Sequence, residues 1–395
     1  MTDTYRKTGL QTVGPMKLAP AHSAYLDFVR FTAALAVLLG HMSLDGFDMS
    51  WIPLATLSHE AVIVFFVMSG FIIYSSTAGR GGSGLDYLVA RASRIYSVAL
   101  PAVLFCIALS LVVGWLAPQL IPSIPAWRPF SLGDIAGSLL FTSESWSSFK
   151  PNTALTLNGP YWSLCYEVWY YIVFGLYFFV RSAWRWPLVM LSCLIAGPQI
   201  VVLLPIWCLG AWMAAHRYSL PRLSQHMAWF MFIAGPLLIV AIKVSAIDQI
   251  IEFYLHNAIP GFWRLEGSQR LVTDHIVALA IAANLYAFSF LGGSVHRGFQ
   301  RARPLLAWLA GFSFTLYLFH RPLTDIAGEV LPSSWRTVPA SMLATVVFLV
   351  LCWLISHLTE QRLPVWRAGL NRMLRARRGS DDIGRPGTGA GPAST

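Results

Sequence analysis

The chain has 395 residues, of which 56% are hydrophobic and only 12% are charged. A soluble globular domain carries about 25% charged residues, so this composition excludes an ordinary soluble protein and indicates several membrane spans. The net charge of +10 would favour nucleic-acid binding in a soluble protein. Here the basic residues lie in short segments between apolar runs, so we expect no nucleic-acid partner.

Ten apolar runs are candidates for helices that cross a bilayer, which requires about 20 mostly apolar residues. They cover residues 25–43, 57–77, 92–116, 161–180, 187–203, 205–216, 227–246, 271–291, 305–320 and 337–358. The sequence therefore predicts an all-α, polytopic transmembrane helix bundle of about ten spans. The two runs that meet at Pro205 are short, which is typical of a broken helix.

Lysine and arginine mark alternate connections between these spans. They precede the first span and follow the second, fourth, sixth, eighth and tenth, whereas the opposite connections contain few of them. Basic loops stay in the cytoplasm, so both termini are expected to be cytoplasmic. We expect no cleavable signal peptide. The predicted units are a cytoplasmic segment at 1–21, a membrane domain at 22–360, and a tail at 361–395 that is first basic and then disordered.

The connection at 117–160 is the longest on the predicted outer side. It contains "FSLGDIAGSLLF", which predicts a short amphipathic or re-entrant helix. The five cysteines lie in or beside apolar runs and show no metal-ligand spacing, so we expect neither disulfides nor a bound metal.

The first span, within "DFVRFTAALAVLLGHMS", carries Arg30 and His41 eleven residues apart. Eleven helical steps exceed three full turns by about 20°, so both side chains share one face, about 16 Å apart along the axis. An arginine inside a bilayer costs about 2.5–3.5 kcal/mol, so this face should point into the bundle. The alternative is that Arg30 extends to the membrane interface and His41 only bonds a neighbour.

Two arginines and one serine lie near the predicted cytoplasmic ends of the next spans. Arg91 and Arg94 are neighbours on one helix face and predict a phosphate clamp, although basic residues there are also typical of ordinary membrane topology. Ser69 lies inside the second span, where a serine often bonds only its own helix.

Two further titratable groups belong to later spans. Glu167, in "NGPYWSLCYEVWYYIVF", lies inside an apolar helix, and His320 ends the run "FSFTLYLFH". In the predicted topology His41, Glu167 and His320 all lie in the outer half of the membrane. Several titratable groups at one depth indicate a functional site.

These segments together resemble the acyltransferase 3 family, the integral-membrane O-acyltransferases of bacterial surface and secreted glycans. The resemblance covers residues 22–360. It rests on Arg30 with His41, "FFVMSG", "RASR", "YWSLCYE", "FTLYLFH" and "TEQRLP" in this order. The sequence departs from the pattern at Glu-Val-Trp, where many members have a second acidic residue. We also expect no soluble esterase-like domain after the last span.

The resemblance implies an enzyme of the bacterial inner membrane. It would move an acyl group, by default acetyl, from cytoplasmic acyl-CoA to a sugar hydroxyl of a surface polysaccharide, lipopolysaccharide or secreted glycan. The expected partners are acyl-CoA, a glycan or glycolipid acceptor, and membrane lipid. A transporter or exporter of a glycan or lipid-linked intermediate is the alternative, since intramembrane His, Glu and Arg also serve as proton relays.

The resemblance also implies roles for single residues. Arg91 and Arg94 would hold CoA phosphates and Arg30 would orient the donor. His41 would act as a general base or as a covalent acyl relay, and Glu167 would orient an imidazole. The acceptor site would be formed by the side chains of Ser69, Trp162, Ser163 and His320.

Overall fold

A computed structural model of the protein describes residues 18–79, 82–124, 127–146 and 155–383, without the side chains of residues 263, 264, 266 and 375–383. All regular structure in these ranges is helical. The α-helices are α1 Pro20–Leu44, α2 Ser58–Ala78, α3 Gly84–Leu116, α4 Leu132–Leu139, α5 Tyr161–Phe179, α6 Arg185–Ala196, α7 Pro198–His216, α8 Gln225–Val244, α9 Ile247–Ala258, α10 Leu271–Phe288, α11 Gly293–Ala310, α12 Ser313–Val330, α13 Val338–Ser356 and α14 Leu363–Ile383.

Seven helices in the described ranges are long and apolar enough to cross a membrane, and an eighth span results if α11 and α12, bent by 43°, count as one. The expected all-helical membrane bundle is thus confirmed, whereas the count of about ten spans stays a prediction. Two of the ten predicted runs correspond to α5 and α6, which are not among the seven helices. α5 is rich in tyrosine and tryptophan, and α6 has 12 residues. The predicted short helix in the 117–160 connection is α4.

The predicted helix break at Pro205 is wrong. The chain breaks instead at Gly197, between α6 and α7, and α7 continues through Pro205. Gly197 has a φ of +94°, and a Cβ there would lie 2.8 Å from the Trp146 amide nitrogen. Only glycine fits both the backbone conformation and the space. A proline inside a helix removes one hydrogen bond, and helices packed in membranes tolerate this loss.

Two glycines allow α2 and α7 to cross in close contact. A Cβ on Gly70 would lie 2.0 Å from the carbonyl oxygen of Trp207, and a Cβ on Gly210 would lie 1.9 Å from that of Val67. Small residues at helix crossings are what membrane bundles use to bring backbones together. This crossing fixes α2, and with it Ser69, against the rest of the bundle.

A buried ion cluster joins α2, α8, α9 and α10 at one end of the bundle. Asp248, 2% exposed, lies 3.1 Å from both the Lys243 ammonium and the Arg270 guanidinium. Lys243 also lies 3.4 Å from Glu60, and His59 lies 2.8 Å from Asp274. Burial raises the pKa of Asp248, but the hydrogen bond from Lys243 and the two positive charges outweigh it, and the pKa falls below its usual range.

Removing one cation from this cluster should destabilise the bundle. Arg270→Ala would leave the buried Asp248 carboxylate with Lys243 alone, and we expect a loss of about 1–3 kcal/mol, since Arg270 is partly exposed. The measurement is thermal unfolding in detergent. Arg301→Ala, at an exposed arginine of α11, is the control. Equal midpoints for the two variants would contradict the structural role of the cluster.

Candidate active site

Two histidines from distant parts of the chain form a pair inside the bundle. His41 lies in the last turns of α1 and is partly buried, whereas His320 lies in α12 and is fully buried. Their rings are in contact, with His320 Nε2 3.2 Å from His41 Nδ1. The face of α1 that carries His41 therefore points at protein. We call these two residues the histidine pair.

The hydrogen bonds of the histidine pair fix which nitrogens carry protons. His41 Nδ1 lies 2.9 Å from the carbonyl oxygen of Val37, and His320 Nδ1 lies 3.0 Å from that of Leu316. A carbonyl only accepts, so we assign a proton to each Nδ1. The single Nδ1 proton of His41 is then shared between two acceptors, the Val37 carbonyl oxygen and His320 Nε2. In the described part of the chain no group bonds His41 Nε2, whose lone pair is free to take a proton.

A salt bridge from Arg321 joins the end of α1 to α12 beside the histidine pair. Arg321 follows His320 directly, and its guanidinium lies 2.9 and 3.0 Å from the two carboxylate oxygens of Asp45, just after α1. Arg321 also lies 2.6 Å from Asp325, one turn further along α12. Neither Asp45 nor Asp325 was predicted to be a site residue. The i,i+4 spacing of Arg321 and Asp325 is typical of a salt bridge on one helix face, so this contact could have been predicted from the sequence.

The predicted arginines meet around a cavity of about 280 Å³. Four guanidiniums line it, from Arg30, Arg91, Arg94 and Arg367, against the single carboxylate of Glu167. We call this space the arginine cavity. Its other walls are largely apolar side chains of α2, α3 and α12. Such a space suits a ligand with an anionic part and a long apolar part.

The arginines of this cavity differ in their partners. Arg94 lies 2.7 Å from Glu360, which is 6% exposed. Within the described residues Arg30 and Arg91 form no ion pair, and Arg91 Nε is buried without a hydrogen-bond partner. Arg30 and Arg91 therefore keep donors for a ligand, because only Arg94 is committed to a carboxylate.

Glu360 also fixes α12. Its second carboxylate oxygen accepts hydrogen bonds from the backbone amides of Phe314 and Thr315, at 3.1 and 3.2 Å, in the first turn of that helix. Amides at a helix start have no partner within the helix, and they attract negative charge. Glu360 thus links the arginine cavity to the helix that carries His320. Glu360 belongs to the "TEQRLP" element, but no role was predicted for it.

Glu167 lies with the arginines and not beside the histidine pair, where the sequence analysis expected it. Its carboxylate accepts a hydrogen bond of 2.5 Å from Tyr171. Tyr171 is also bonded to Ser69, at 3.3 Å, and Ser69 accepts from the indole of Trp207 at 3.1 Å. The position of a residue along a transmembrane helix predicts its approximate depth in the membrane. It does not predict which neighbouring helix the side chain contacts. The expected contact between Glu167 and an imidazole is not formed.

Ser163 and Trp162 lie on different sides of α5. The Ser163 hydroxyl is 2.5 Å from the Tyr317 hydroxyl, and both residues line the arginine cavity. Tyr317 precedes His320 by about one helical turn, and the centroids of the two rings are 6.1 Å apart, so the Ser163–Tyr317 contact lies beside the histidine pair. Trp162 packs against Phe66 and Tyr166 and does not line this cavity.

Comparison with known proteins places the chain in a family. The sequence profile of the family described as "Acyltransferase domain" (acyltransferase 3) matches residues 23–357. The chain is also similar to the exopolysaccharide production protein ExoZ of Rhizobium meliloti (strain 1021), with 24% identity over 337 residues, 81% of this chain and 93% of ExoZ. No solved structure matches. The matched range contains the histidine pair and three of the four cavity arginines, and the chain is thus a multi-pass membrane protein that belongs to the acyltransferase 3 family.

Proposed function

We propose that the protein transfers an acyl group, by default acetyl, from cytoplasmic acyl-CoA to a sugar hydroxyl of a surface or secreted glycan. The observation that carries the proposal is His41 Nε2, which has no hydrogen-bond partner among the described residues. The His41 ring contacts His320, and the ring centroid of His320 lies 6.1 Å from that of Tyr317, which lines the four-arginine cavity. The similarity to ExoZ supports an exopolysaccharide acceptor in particular. The proposed location is the bacterial inner membrane.

The arginine cavity is proposed to hold the donor. A planar guanidinium matches phosphate oxygens with two parallel hydrogen bonds, and Arg91 has such donors without a protein partner. Arg30 adds positive charge to the same wall, whereas the charge of Arg94 is offset by Glu360. The acyl-pantetheine arm would extend between the apolar side chains toward Ser163 and Tyr317, which bring the thioester to the histidine pair.

His41 is proposed to be the group that handles the proton. Its Nε2 takes the proton of the acceptor hydroxyl while that oxygen attacks the thioester carbonyl carbon. The new C–O bond forms and the C–S bond breaks. The leaving CoA thiolate takes the proton from His41 Nε2 to become the free thiol, which returns the imidazole to its neutral form. The same Nε2 would be the nucleophile if the acyl group first passes through an acyl-imidazole. His320 keeps His41 in the required tautomer in either case.

We propose the orientation that the basic connections predict. With both termini in the cytoplasm, the arginine cavity faces the side that supplies acyl-CoA, and the histidine pair, about 16 Å further along α1, lies toward the outside. The acceptor glycan would then reach the histidine pair from the outer side.

The test uses membranes that contain the protein, incubated with [14C]acetyl-CoA and exopolysaccharide, and membranes of a deletion strain as the control. Label in the polysaccharide that is released by mild alkali, as an ester, would support O-acyl transfer. A glycan that crosses the membrane without acquiring label would support the exporter alternative. Mass spectrometry of glycans from both strains identifies the acceptor and the acyl group.

Arg91 should govern donor binding. Arg91→Ala removes an unpaired guanidinium from the arginine cavity, so we expect the KM for acetyl-CoA to rise about 10–100-fold with little change in acceptor KM. Arg181→Ala, an exposed arginine just after α5, is the matched control. An unchanged donor KM in Arg91→Ala, measured in initial rates, would remove this arginine from the donor site.

A further inference from the structure

A second cavity, of about 270 Å³, adjoins the arginine cavity. The two share three lining residues, Ala90, Arg91 and Arg367. The second cavity is bordered by the apolar side chains of Val89 and Phe179 and by groups that can form hydrogen bonds with a nucleoside: Ser76, Thr77, Ser83, Asp86 and Asn371. Arg91 and Arg367 thus lie on the wall between the two cavities.

Arg367 reaches this wall from the end of the chain. It belongs to α14, which packs on α3, the helix of Arg91 and Arg94. The chain enters α14 directly after a short 3-10 turn at Glu360–Arg362, and Glu360 is fixed by Arg94 and by the first turn of α12. This anchor sets the direction of α14 and thereby the position of Arg367.

We infer that the two cavities form one bipartite donor site, in which the phosphates of the CoA nucleotide bind between Arg91 and Arg367. The nucleoside occupies the second cavity and the acyl-pantetheine arm occupies the arginine cavity. This inference rests on the proposed function, and it assigns to the C-terminal helix a binding residue outside the family match at 23–357.

Two features of the residues on this wall and one feature of acyl-CoA support the inference. Both cavities have Arg91 and Arg367 in their walls, so a ligand that fills both must pass these guanidiniums. Arg91 Nε is buried and lacks a hydrogen-bond partner, which costs free energy unless a ligand supplies an acceptor. Acyl-CoA has the matching order of parts: a polar nucleoside, anionic phosphates, then a long thin arm.

The test compares Arg367→Ala with Arg372→Ala, an exposed arginine in the same helix that lines neither cavity. Calorimetry of the purified full-length protein with CoA should give a Kd about 10–100-fold weaker for Arg367→Ala and unchanged for Arg372→Ala. Arg367→Lys, which keeps the charge but loses the planar fork, should lie between. Thermal unfolding in detergent checks that the variants are folded.

A truncated donor locates the contact on the ligand. In initial-rate assays the KM for acetyl-CoA should rise in Arg367→Ala, whereas the rate with acetyl-pantetheine, which lacks the nucleotide, should equal that of the wild type. Wild-type CoA affinity in Arg367→Ala, or an equal loss with acetyl-pantetheine, would overturn the bipartite site. A protein that binds CoA normally but transfers no label to any glycan would instead overturn the proposed function.

Discussion

Replacing His41 with alanine is expected to abolish acyl transfer, with a rate loss of about 100–10,000-fold, while expression and membrane insertion are unchanged. The reason is specific to one atom. His41 Nε2 has no hydrogen-bond partner among the described residues, and its Nδ1 proton is held by Val37 and His320. Loss of the ring removes the group that accepts the hydroxyl proton but removes no ion pair. Label transfer from [14C]acetyl-CoA to polysaccharide measures the effect.

The control for this prediction is a histidine with the same local geometry. His357 in the chain after α13 bonds the carbonyl oxygen of Trp353 at 3.0 Å, as His41 bonds that of Val37, but His357 is exposed. We expect His357→Ala to transfer label at the wild-type rate. Unchanged turnover in purified His41→Ala would contradict the central assignment.

A third variant separates the reactive ring from the ring that orients it. In His320→Gln an amide replaces the imidazole ring that accepts the hydrogen bond from His41 Nδ1. The amide oxygen can accept the same hydrogen bond, so part of the original interaction is kept. We expect a loss of about 10–100-fold, smaller than that of His41→Ala. An acyl group trapped on His41 after acid quench, found by mass spectrometry, would identify the covalent relay, and its absence during turnover would favour the general base.

The membrane bundle was predictable because the bilayer itself restricts the backbone. A span must be a long apolar helix with its hydrogen bonds satisfied internally, so hydropathy alone located most helices. Helical periodicity predicted that Arg30 and His41 share one face of α1. In the structure both side chains point at protein. The break near Pro205 was misplaced because packing against Trp146 required glycine at 197, and no local pattern reports that contact.

The partners within the site were less accessible to sequence reasoning. His41 and His320 are separated by 279 residues, so their contact depends on how helices pack. Glu167 was expected near the imidazoles because depth was counted from the start of its helix, but its face turns to Tyr171 and the arginine cavity. Arg367 was not predicted to be a binding residue, because a basic segment after the last span is typical of ordinary membrane topology.

The second large effect is expected at Glu360. Glu360→Ala would remove the ion pair with Arg94 and two hydrogen bonds to the start of α12, leaving a half-buried guanidinium and two backbone amides without partners. Loss of a helix cap costs about 0.5–2 kcal/mol, and breaking a buried ion pair costs more. Since Arg94 is partly exposed, we expect a total loss of about 2–4 kcal/mol and a lower midpoint of thermal unfolding in detergent.

The same substitution should also lower acyl transfer, because α12 carries Tyr317 and His320. Glu360→Gln still accepts from the two amides but loses the charge, so its stability should lie between wild type and Glu360→Ala. Gln361→Ala, at the exposed neighbour, is the control. If the carboxylate acts through Arg94, the double variant Arg94→Ala/Glu360→Ala will lose less stability than the two single variants added together. Strictly additive losses would show that Glu360 serves α12 alone and that the arginine cavity is not coupled to the histidine pair through it.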